Sequence, residues 1–302
     1  MILKVFTIGC YWSKIMKKRK IFVVGSINTD LVIKAPYMPQ KGETLTGSGF
    51  FTAHGGKGAN QAVAAARLGG DVIMCGCVGK DDFGVSALQS LQTDGVDISH
   101  IRKAEAPTGT AVIVVTEGDN RIILDKGANA CLTKEDIDNT LLEAKEGDIY
   151  LTQLENPIEV IGYGLQRAKE KKMYVVLNPA PAACDVKPYL QYCNLLTPNE
   201  TETQILGGKE ALLEEVDTLL ITLGGKGFAI VDKKGENIYP CAKITPVDTT
   251  AAGDTLCGGL CAYLAEGNSL VESAKFGSKA ATIACTRQGA QTSIPLREEV
   301  EH

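Results

Sequence analysis

The sequence lacks the features that would assign it to a membrane or secreted class. No apolar run approaches the ~20 residues that a membrane-spanning helix requires. The ten cysteines form no C-x-x-C pair, and they are scattered through apolar segments instead of being spaced as a disulfide or zinc framework. We therefore expect reduced thiols that behave as small apolar side chains, and a cytoplasmic protein without a membrane partner.

The sequence also lacks an excess of positive charge. The 302 residues carry 31 Lys and Arg against 36 Asp and Glu, a formal net charge of −5. Because a nucleic-acid-binding surface needs an excess of basic residues, nucleic acid is not an expected partner. The Walker A pattern G-x-x-x-x-G-K-[ST] is absent, and no G-x-G-x-x-G is followed by a suitably placed acid. The usual P-loop and dinucleotide-binding loops are thereby excluded.

The chain does contain a regular alternation of apolar runs and helix-period segments. Several runs are apolar on both faces, which is typical of strands in a parallel sheet covered by helices. The pattern predicts an α/β three-layer sandwich with a mainly parallel central sheet, whose ligands bind at the carboxyl ends of the strands. The predicted strands are 21–25, 72–78, 148–151, 173–177, 194–197, 218–222 and 228–231, and the predicted helices 58–68, 83–93, 134–145, 158–171, 199–206, 254–266 and 269–285.

Two segments interrupt this alternation. Residues 31–53 and 108–124 are rich in Val, Ile, Thr and Gly, without a helix between successive strand-like runs. They predict a small antiparallel β lid, covering the site or forming a dimer surface, inserted in a single domain of residues 19–302. Residues 1–18 are predicted to be a poorly ordered N-terminal extension, with Met16 as the true translation start.

The segment VDTTAAGD, which ends at Asp254, leads directly into an apolar helix-like stretch. Its small residues Ala251, Ala252 and Gly253 can direct backbone N–H groups at an anion at a helix N-terminus. In a kinase, the three N–H groups of Ala252, Gly253 and Asp254 would form the anion hole. A carboxylate at that point suggests a general base that takes a proton from a hydroxyl attacking a phosphoryl group. Taken alone, the motif fits an ordinary N-cap Asp equally well.

A second polar cluster follows the first strand and opens the first long helix. Asn28 and Asp30 lie where ligands contact such a sheet, and an ionised Asp accepts hydrogen bonds from a polyol. Gly56 lets a ligand approach the backbone, and Lys57 and Asn60 add donors one helical turn apart. Turn chemistry and an ordinary helix start explain the glycines, but they explain Lys57 and Asn60 less well.

From Lys20 to Glu299 the chain resembles the ribokinase-like, or PfkB, carbohydrate kinases. The resemblance is carried by eight motifs in the same order: GSINTD, GGKGANQAVAAARLG, QLENP, NPAPA, TPNETE, ITLGGKG, VDTTAAGD and TRQGAQTSIP. It implies an enzyme that transfers a phosphoryl group from ATP to O5 of D-ribose, with Asp254 as the general base and Mg²⁺ bound with ATP.

The resemblance also implies which residues bind each substrate. The pentose site would comprise Asn28, Asp30, Gly56, Lys57, Asn60, Glu155 and Asp254. The ATP site would comprise Asn199, Glu202, Thr222, Leu223, Gly224, Gly225, Lys226, Gly227, Gly253, Asp254 and Ser278, with Glu202 acting through the waters of Mg²⁺. From the residues alone, Asn199 and Glu202 also read as a helix cap and a first-turn acid.

A monovalent cation site and a homodimer are further implications of the resemblance. A K⁺ ion behind the anion-binding turn would fix that turn. Its ligands would come from Asp248, Thr250, Ala284, Arg287, Gly289 and Ser293. The dimer would form through the β lid.

Two alternative functions remain open from the sequence. A related kinase would act on deoxyribose, fructose or a nucleoside. A non-catalytic relative would bind sugar without ATP turnover, but the intact Asp254 and Gly253 favour a kinase.

Overall fold

A computed structural model describes residues 18–116, 119–182 and 186–302. The expectations for residues 1–17, including a start at Met16, lie outside the described residues. The strands of the described part are β1 (Lys20–Val24), β2 (Asn28–Lys34), β3 (Ser48–Gly55), β4 (Asp71–Val78), β5 (Asp97–Lys103), β6 (Gly109–Thr116), β7 (Asp119–Asp125), β8 (Ile149–Thr152), β9 (Tyr174–Leu177), β10 (Leu195–Leu196), β11 (Thr218–Thr222), β12 (Phe228–Asp232) and β13 (Gly235–Tyr239).

The α-helices of the same residues alternate with the strands over most of the chain. They are α1 (Lys57–Arg67), α2 (Asp82–Thr93), α3 (Lys134–Leu141), α4 (Ile158–Glu170), α5 (Glu200–Ile205), α6 (Lys209–Glu215), α7 (Ala252–Ala265), α8 (Leu270–Ala284) and α9 (Arg297–Glu301). Among the helices described from residue 18 onwards, none combines the length and apolar character that a bilayer span requires.

The main sheet has nine strands in the order β13-β12-β11-β10-β9-β8-β1-β4-β5. All neighbours from β11 to β5 pair in parallel, and only β11–β12 and β12–β13 are antiparallel. The expected three-layer sandwich is therefore confirmed. From β1 the chain proceeds first to β4 and later to β8, so the strand order reverses between β1 and β8. Ligands of such sheets bind at this switch point.

Alternating side chains of the central strands form two separate hydrophobic cores. Ile21 and Val23 of β1 face one layer, which contains α1, α7 and α8. Phe22 and Val24 face the other layer, which contains α3 and α4. Because both faces are covered, these strands are apolar along their whole length, which is why the sequence pattern located them.

Helix α7 packs closely against α1. A Cβ atom on Gly258 would lie 2.5 Å from the Cβ of Ala64, so only glycine permits this approach. The close contact brings the first turn of α7 beside the first turn of α1, where the two polar motifs of the sequence are located.

A second sheet of four strands, called the lid sheet here, has the order β3-β2-β6-β7. Its two outer pairs, β2–β3 and β6–β7, are antiparallel, as expected. Its central pair, β2–β6, is parallel, because the two strands come from separate excursions of the chain. Asn28, at the start of β2, pairs with Gly55 and with Gly109, and these two pairs lie at the base of the lid sheet.

Candidate active site

The N-terminus of α7 is open to a cavity. The helix begins at Ala252 after Ala251, which has a left-handed φ of 59°, a conformation that costs a non-glycine residue about 1–2 kcal/mol. Within the described residues, the N–H groups of Gly253 and Asp254 have no acceptor. The N–H of Ala252 instead donates to Thr249 O at 3.2 Å and closes a turn. Two free N–H groups thus face the cavity, not the three that the sequence predicted.

Gly253 is not required by the packing of the protein itself. A Cβ atom on Gly253 would meet no other atom within 4 Å. The open space beside the free N–H groups is therefore available to a ligand, and the helix dipole favours an anionic one.

Asp254 is buried in the first turn of α7 and does not act as its N-cap. Ala251 occupies the N-cap position, so the interpretation of Asp254 as an ordinary cap is wrong. Its Oδ2 accepts a hydrogen bond from Asn60 Nδ2 at 3.0 Å, and its Oδ1 accepts one from Gln61 Nε2 at 2.9 Å. The carboxylate is thus held by α1 at the edge of the cavity.

Lys57 supplies a positive charge to this cavity. The Asp254 carboxylate is the main cause of a raised Lys57 pKa; burial opposes it, and Glu155 and Glu202 add to it. The ammonium therefore remains charged among these carboxylates. The cavity, of about 210 Å³, is lined by Lys57, Asn178, Ala180, Thr197, Asn199, Glu202, Thr222, Thr249, Ala251, Ala252, Gly253, Asp254 and Cys257.

The predicted pentose residues lie together at the switch point and the base of the lid sheet. Glu155 follows β8; it accepts a short hydrogen bond from Ser26 and one of 3.2 Å from the N–H of Lys57. Asp30 points from β2 into a second cavity of about 470 Å³ between the lid sheet and the turn before α7. Burial, and to a smaller extent Glu155, raise the pKa of Asp30 to about 6.

Gly56 and Asn60 complete this side of the site. Gly56 has a φ of 89°, and a Cβ atom there would lie 2.8 Å from Asn28 N, so the position requires glycine. Asn60 Oδ1 is buried without a partner among the described residues. A buried acceptor of this kind fits a hydroxyl donor of a ligand.

Several buried amides that hold the site were not predicted from the sequence. Asn129 donates to Asn28 Oδ1 at 2.7 Å and so fixes the Asn28 side chain. Gln61, next to Asn60 on α1, contacts Asp254, Asn178 and Gln153. The only sequence signal for Gln61 is a polar residue within an alanine-rich helix.

A third, more apolar cavity of about 520 Å³ adjoins the first and shares Thr222, Thr249, Ala252 and Gly253 with it. Its remaining lining residues are Gly224, Gly225, Gly227, Cys241, Ala242, Lys243, Ile244, Pro246, Leu256, Ser278, Ala281, Thr282 and Cys285. A Cβ atom on Gly224 or Gly225 would meet nothing within 4 Å, which leaves room for a ligand above the turn.

Two of the residues predicted for ATP binding, Leu223 and Lys226, line neither this cavity nor the first one. The side chain of Leu223 packs against the core that contains α3 and α4. Lys226 is exposed on the short 3₁₀ turn Gly224–Lys226. The other residues of the turn, together with Ser278, surround the cavity.

Asn199 and Glu202 form the helix cap that the sequence allowed as an alternative, and they also line the first cavity. Asn199 Oδ1 accepts from Glu202 N at 2.7 Å, and Glu202 Oε2 accepts from Asn199 N at 2.8 Å. Burial raises the pKa of Glu202, although Asn199 and Lys57 act in the opposite direction. The remaining oxygen, Oε1, suits a hydrated Mg²⁺, since hard cations prefer oxygen ligands.

Of the six residues predicted to hold a monovalent cation, Asp248, Thr250 and Gly289 are joined by hydrogen bonds beside the turn that precedes α7. Asp248 Oδ1 accepts from Thr250 N and Oγ1 at 2.9 and 2.6 Å, and Asp248 Oδ2 accepts from Gly289 N at 2.9 Å. Burial acts to raise the pKa of Asp248, but these hydrogen bonds outweigh it and hold the pKa below its usual value. The carboxylate therefore stays ionised.

The other oxygens predicted as cation ligands keep lone pairs for a cation. Ser293 Oγ donates to Ala290 O at 2.7 Å and can still accept. The carbonyl of Ala284 accepts only from Arg287 N at 3.0 Å. From residue 18 on, the described parts of the chain contain no group of three or more His, Cys, Asp or Glu placed to hold a metal ion.

The fold and these cavities define a class of protein. A buried carboxylate lies at an open helix N-terminus, between a polar cavity at the switch point and a glycine-walled cavity, an arrangement typical of a small-molecule kinase. The model of the pfkB family of carbohydrate kinases matches residues 18–297. The chain belongs to this family.

Individual relatives span nearly the whole chain. The ribokinase of Haemophilus influenzae is 40% identical over 297 residues, which cover 93% of this chain and 97% of that protein. The crystal structure of the Thermotoga maritima ribokinase superposes with a TM-score of 0.86 at 39% identity, covering 94% of this chain and 98% of that one. The Arabidopsis thaliana ribokinase complexed with ribose and ATP has a TM-score of 0.85 at 28% identity, with coverage of 94% and 98%.

Proposed function

We propose that this protein catalyses transfer of the γ-phosphoryl group of ATP to O5 of D-ribose. The observation that carries the proposal is the position of Asp254, whose carboxylate borders the cavity into which the free N–H groups of Gly253 and Asp254 point. Similarity to ribokinases over nearly the whole chain supports ribose and ATP as the substrates.

The sugar is held by polar groups that the fold fixes before it binds. Asp30, Glu155 and the unpartnered Oδ1 of Asn60 accept hydrogen bonds from the hydroxyl groups of ribose. Lys57 and Asn28 complete the site at the switch point. Because a site built to bind a hydroxyl group leaves polar groups unpaired when that hydroxyl is missing, 2-deoxyribose should be a poorer substrate.

Asp254 removes the proton from the primary hydroxyl as the oxygen attacks the γ-phosphoryl group. General base catalysis by a positioned carboxylate contributes about 10²–10⁴ in rate. The N–H groups of Gly253 and Asp254, together with the helix dipole, stabilise the negative charge that develops on the phosphoryl oxygens.

ATP occupies the glycine-walled cavity, with its phosphates directed toward the start of α7. Gly224 and Gly225 leave room for the nucleotide, and Ser278 lies on the wall formed by α8. Mg²⁺, when bound with ATP, neutralises charge on its phosphates. Glu202, through its free oxygen, is the residue suited to orient the waters of that ion.

A K⁺ ion held by Asp248, Ser293 and the carbonyls of Thr250, Ala284, Arg287 and Gly289 is part of the proposal. The support is geometric: Asp248 bonds both to the turn before α7 and to the chain after α8. An ion there would hold the turn so that its N–H groups converge before ATP binds, which is preorganisation and not direct catalysis.

A homodimer through the lid sheet is also proposed. Its support is an exposed apolar face of that sheet, on the side opposite the Asp30 cavity, where Phe50, Val112 and Ile123 are 63%, 39% and 71% exposed. Exposed apolar patches on a folded protein mark interaction surfaces. Light scattering should give about twice the chain mass of 32.1 kDa, and Ile123→Lys should shift the protein toward a monomer. A monomer at micromolar concentration without the substitution would contradict the dimer.

The cytoplasm is the proposed location of the protein. The free thiols of eight described cysteines support a reducing compartment of this kind.

A substrate panel tests the proposed reaction. The purified full chain is assayed with ATP, Mg²⁺ and K⁺ against D-ribose, 2-deoxy-D-ribose, D-fructose and a nucleoside, and the product is identified by phosphorus NMR. We expect the highest kcat/KM with D-ribose and a phosphate ester at O5. A higher kcat/KM with another member of the panel would replace ribose as the substrate, and ribose binding without turnover would favour a sugar-binding protein.

A further inference from the structure

The side chain of Gln61 is completely buried and contacts three other polar side chains. Its Nε2 lies 2.9 Å from Asp254 Oδ1 and 3.2 Å from Asn178 Oδ1. Its Oε1 accepts from Gln153 Nε2 at 2.6 Å. Gln61 is 0% exposed and lies on α1, whereas Gln153 follows β8 and Asn178 follows β9. The amide therefore connects the carboxyl ends of two central strands to the general base.

The direction of these hydrogen bonds is fixed by the backbone. The carbonyl of Thr197 can only accept, and Asn178 Nδ2 donates to it at 2.9 Å. Asn178 must consequently present its oxygen to Gln61, and Gln61 must present its NH₂ group to that oxygen and to Asp254. No rotation of the Gln61 amide preserves these contacts. The chain of bonds thus delivers a donor, never an acceptor, to Asp254 Oδ1.

Asn60, the other amide on Asp254, is held less firmly. Its Nδ2 donates to Asp254 Oδ2 at 3.0 Å, but its Oδ1 has no partner among the described residues. The donor to Asp254 Oδ1 is therefore held in place by two further side chains, whereas the donor to Oδ2 can reorient when substrate binds. The two oxygens of the carboxylate are not equivalent.

We infer that Gln61 is a positioning residue for the proposed phosphoryl transfer: by donating to Oδ1 it fixes the orientation of the Asp254 carboxylate, so that Oδ2, beside Asn60, receives the proton of the sugar hydroxyl. The inference rests on the proposed function. Because Gln61 is itself held by Gln153 and Asn178, the carboxylate is presented in one orientation before substrate binds.

Gln61→Met tests the inference because Met has a similar length and no hydrogen-bonding amide. A hydrogen bond to a charged group corresponds to roughly a tenfold or larger effect. We expect kcat to fall about tenfold or more, because the carboxylate loses the donor that orients it. The KM for ribose should stay within about threefold, because Gln61 does not touch the sugar.

Gln61→Glu provides a second variant of nearly the same shape. Its ionised carboxylate can still accept from Gln153 Nε2, but it cannot donate to Asp254, and it repels the carboxylate that Gln61 orients. We therefore expect kcat to fall at least as far as in Gln61→Met. If Gln61→Met does not fold, this variant decides the question.

Val63→Ala is the matched control for stability. Val63 is a fully buried apolar residue of α1 that makes no hydrogen bond to Asp254. The variant should lower the melting temperature while kcat stays close to that of the unaltered protein. A folded Gln61→Met whose kcat equals that of Val63→Ala would overturn the inference and leave Gln61 a purely structural residue.

A readout that needs no turnover separates this inference from the proposed reaction. The carboxyl carbon of Asp254, assigned by its loss in Asp254→Asn, is observed by carbon NMR at neutral pH in the unaltered protein, in Gln61→Met and in Val63→Ala. We expect its resonance to move in Gln61→Met, where the orienting hydrogen bond is lost, and to stay in place in Val63→Ala. An unchanged resonance in Gln61→Met overturns the inference even in an active kinase, whereas an inactive unaltered protein contradicts only the proposed reaction.

Discussion

Gly289 donates a hydrogen bond of 2.9 Å to Asp248 Oδ2, although 41 positions separate the two residues. Through the other oxygen, Asp248 accepts from Thr250, three residues before Gly253, the first of the proposed anion-binding groups. The contact therefore links the chain after α8 to the turn that begins α7. A change at Asp248 should reach the phosphoryl site without touching substrate.

The contacts of Asp248 with Gly289 and Thr250 predict that monovalent cations affect activity. Replacing K⁺ by tetramethylammonium at constant ionic strength should lower kcat, because the turn loses the ion that we propose to fix it. Asp248→Ala should be less active than the unaltered protein and indifferent to K⁺. Ionic strength must be matched, since general screening alone changes nucleotide binding. Equal rates in the two cations would mean that no such site operates.

Asp254→Asn should abolish turnover while sugar binding remains largely intact. The amide keeps the shape of the carboxylate but cannot accept the proton, so kcat should fall by about 10²–10⁴. Ribose binding, measured by calorimetry, should change much less. A variant with nearly normal kcat would show that another group acts as the base.

Asp30→Ala should act mainly on sugar affinity. Truncation removes an acceptor for ribose hydroxyl groups in a largely buried cavity, and a hydrogen bond to a charged group is worth about 1.5–3 kcal/mol. The Kd for ribose should rise roughly tenfold or more, and the Kd for ATP should change little, because the nucleotide cavity does not include Asp30. Equal losses for both ligands would indicate a general disturbance of the fold.

The pH dependence of ribose binding should report Asp30. Its pKa is raised to about 6, so the carboxylate is ionised above that pH and becomes protonated below it. A protonated carboxyl loses acceptor capacity, so the Kd for ribose should rise as the pH falls from 7 to 5. In Asp30→Asn this dependence should be much weaker. Calorimetric titrations of both proteins over that range check the prediction, and parallel curves would assign the titration to another group.

Gly253→Ala should separate folding from activity. An added Cβ meets no protein atom within 4 Å, and alanine favours a helix over glycine by about 0.5–1 kcal/mol. The free energy of unfolding should therefore stay equal or rise slightly. The methyl group would occupy the space beside the two free N–H groups, so kcat should fall by about 10² or more. An active, stabilised variant would remove these groups from the phosphoryl site.

The sequence was informative where one segment determines the structure. The strands β1, β4, β8 and β9 are buried on both faces, so their apolar runs were visible. Strand β13, with the sequence GENIY, lies at the edge of the sheet and is mostly exposed. No apolar pattern identifies it, and it was missed.

Contacts between distant segments explain what the sequence did not predict in the site. The motifs identified Asp254 and Asn60 as candidate functional residues. The role of Gln61 depends on its hydrogen bonds to Gln153, Asn178 and Asp254, which are distant in sequence. The N–H of Ala252 was expected to be free, and only the geometry of the turn reveals that Thr249 accepts from it. The types of residues in the motifs predicted the chemistry of the site. The three-dimensional packing determines which of their atoms are free to bind a ligand.

The parallel pairing of β2 with β6 has a consequence for engineering. Asn28, at the start of β2, pairs with Gly55 on one side and with Gly109 on the other. The lid sheet therefore cannot be removed at a single hinge and replaced by the lid sheet of a relative. Both of its chain excursions depart beside Asn28, so every graft would cut into the pentose site. Replacing the lid sheet in order to change only the covering of the site, or only the oligomeric state, would therefore also alter the proposed pentose site and its preference among sugars.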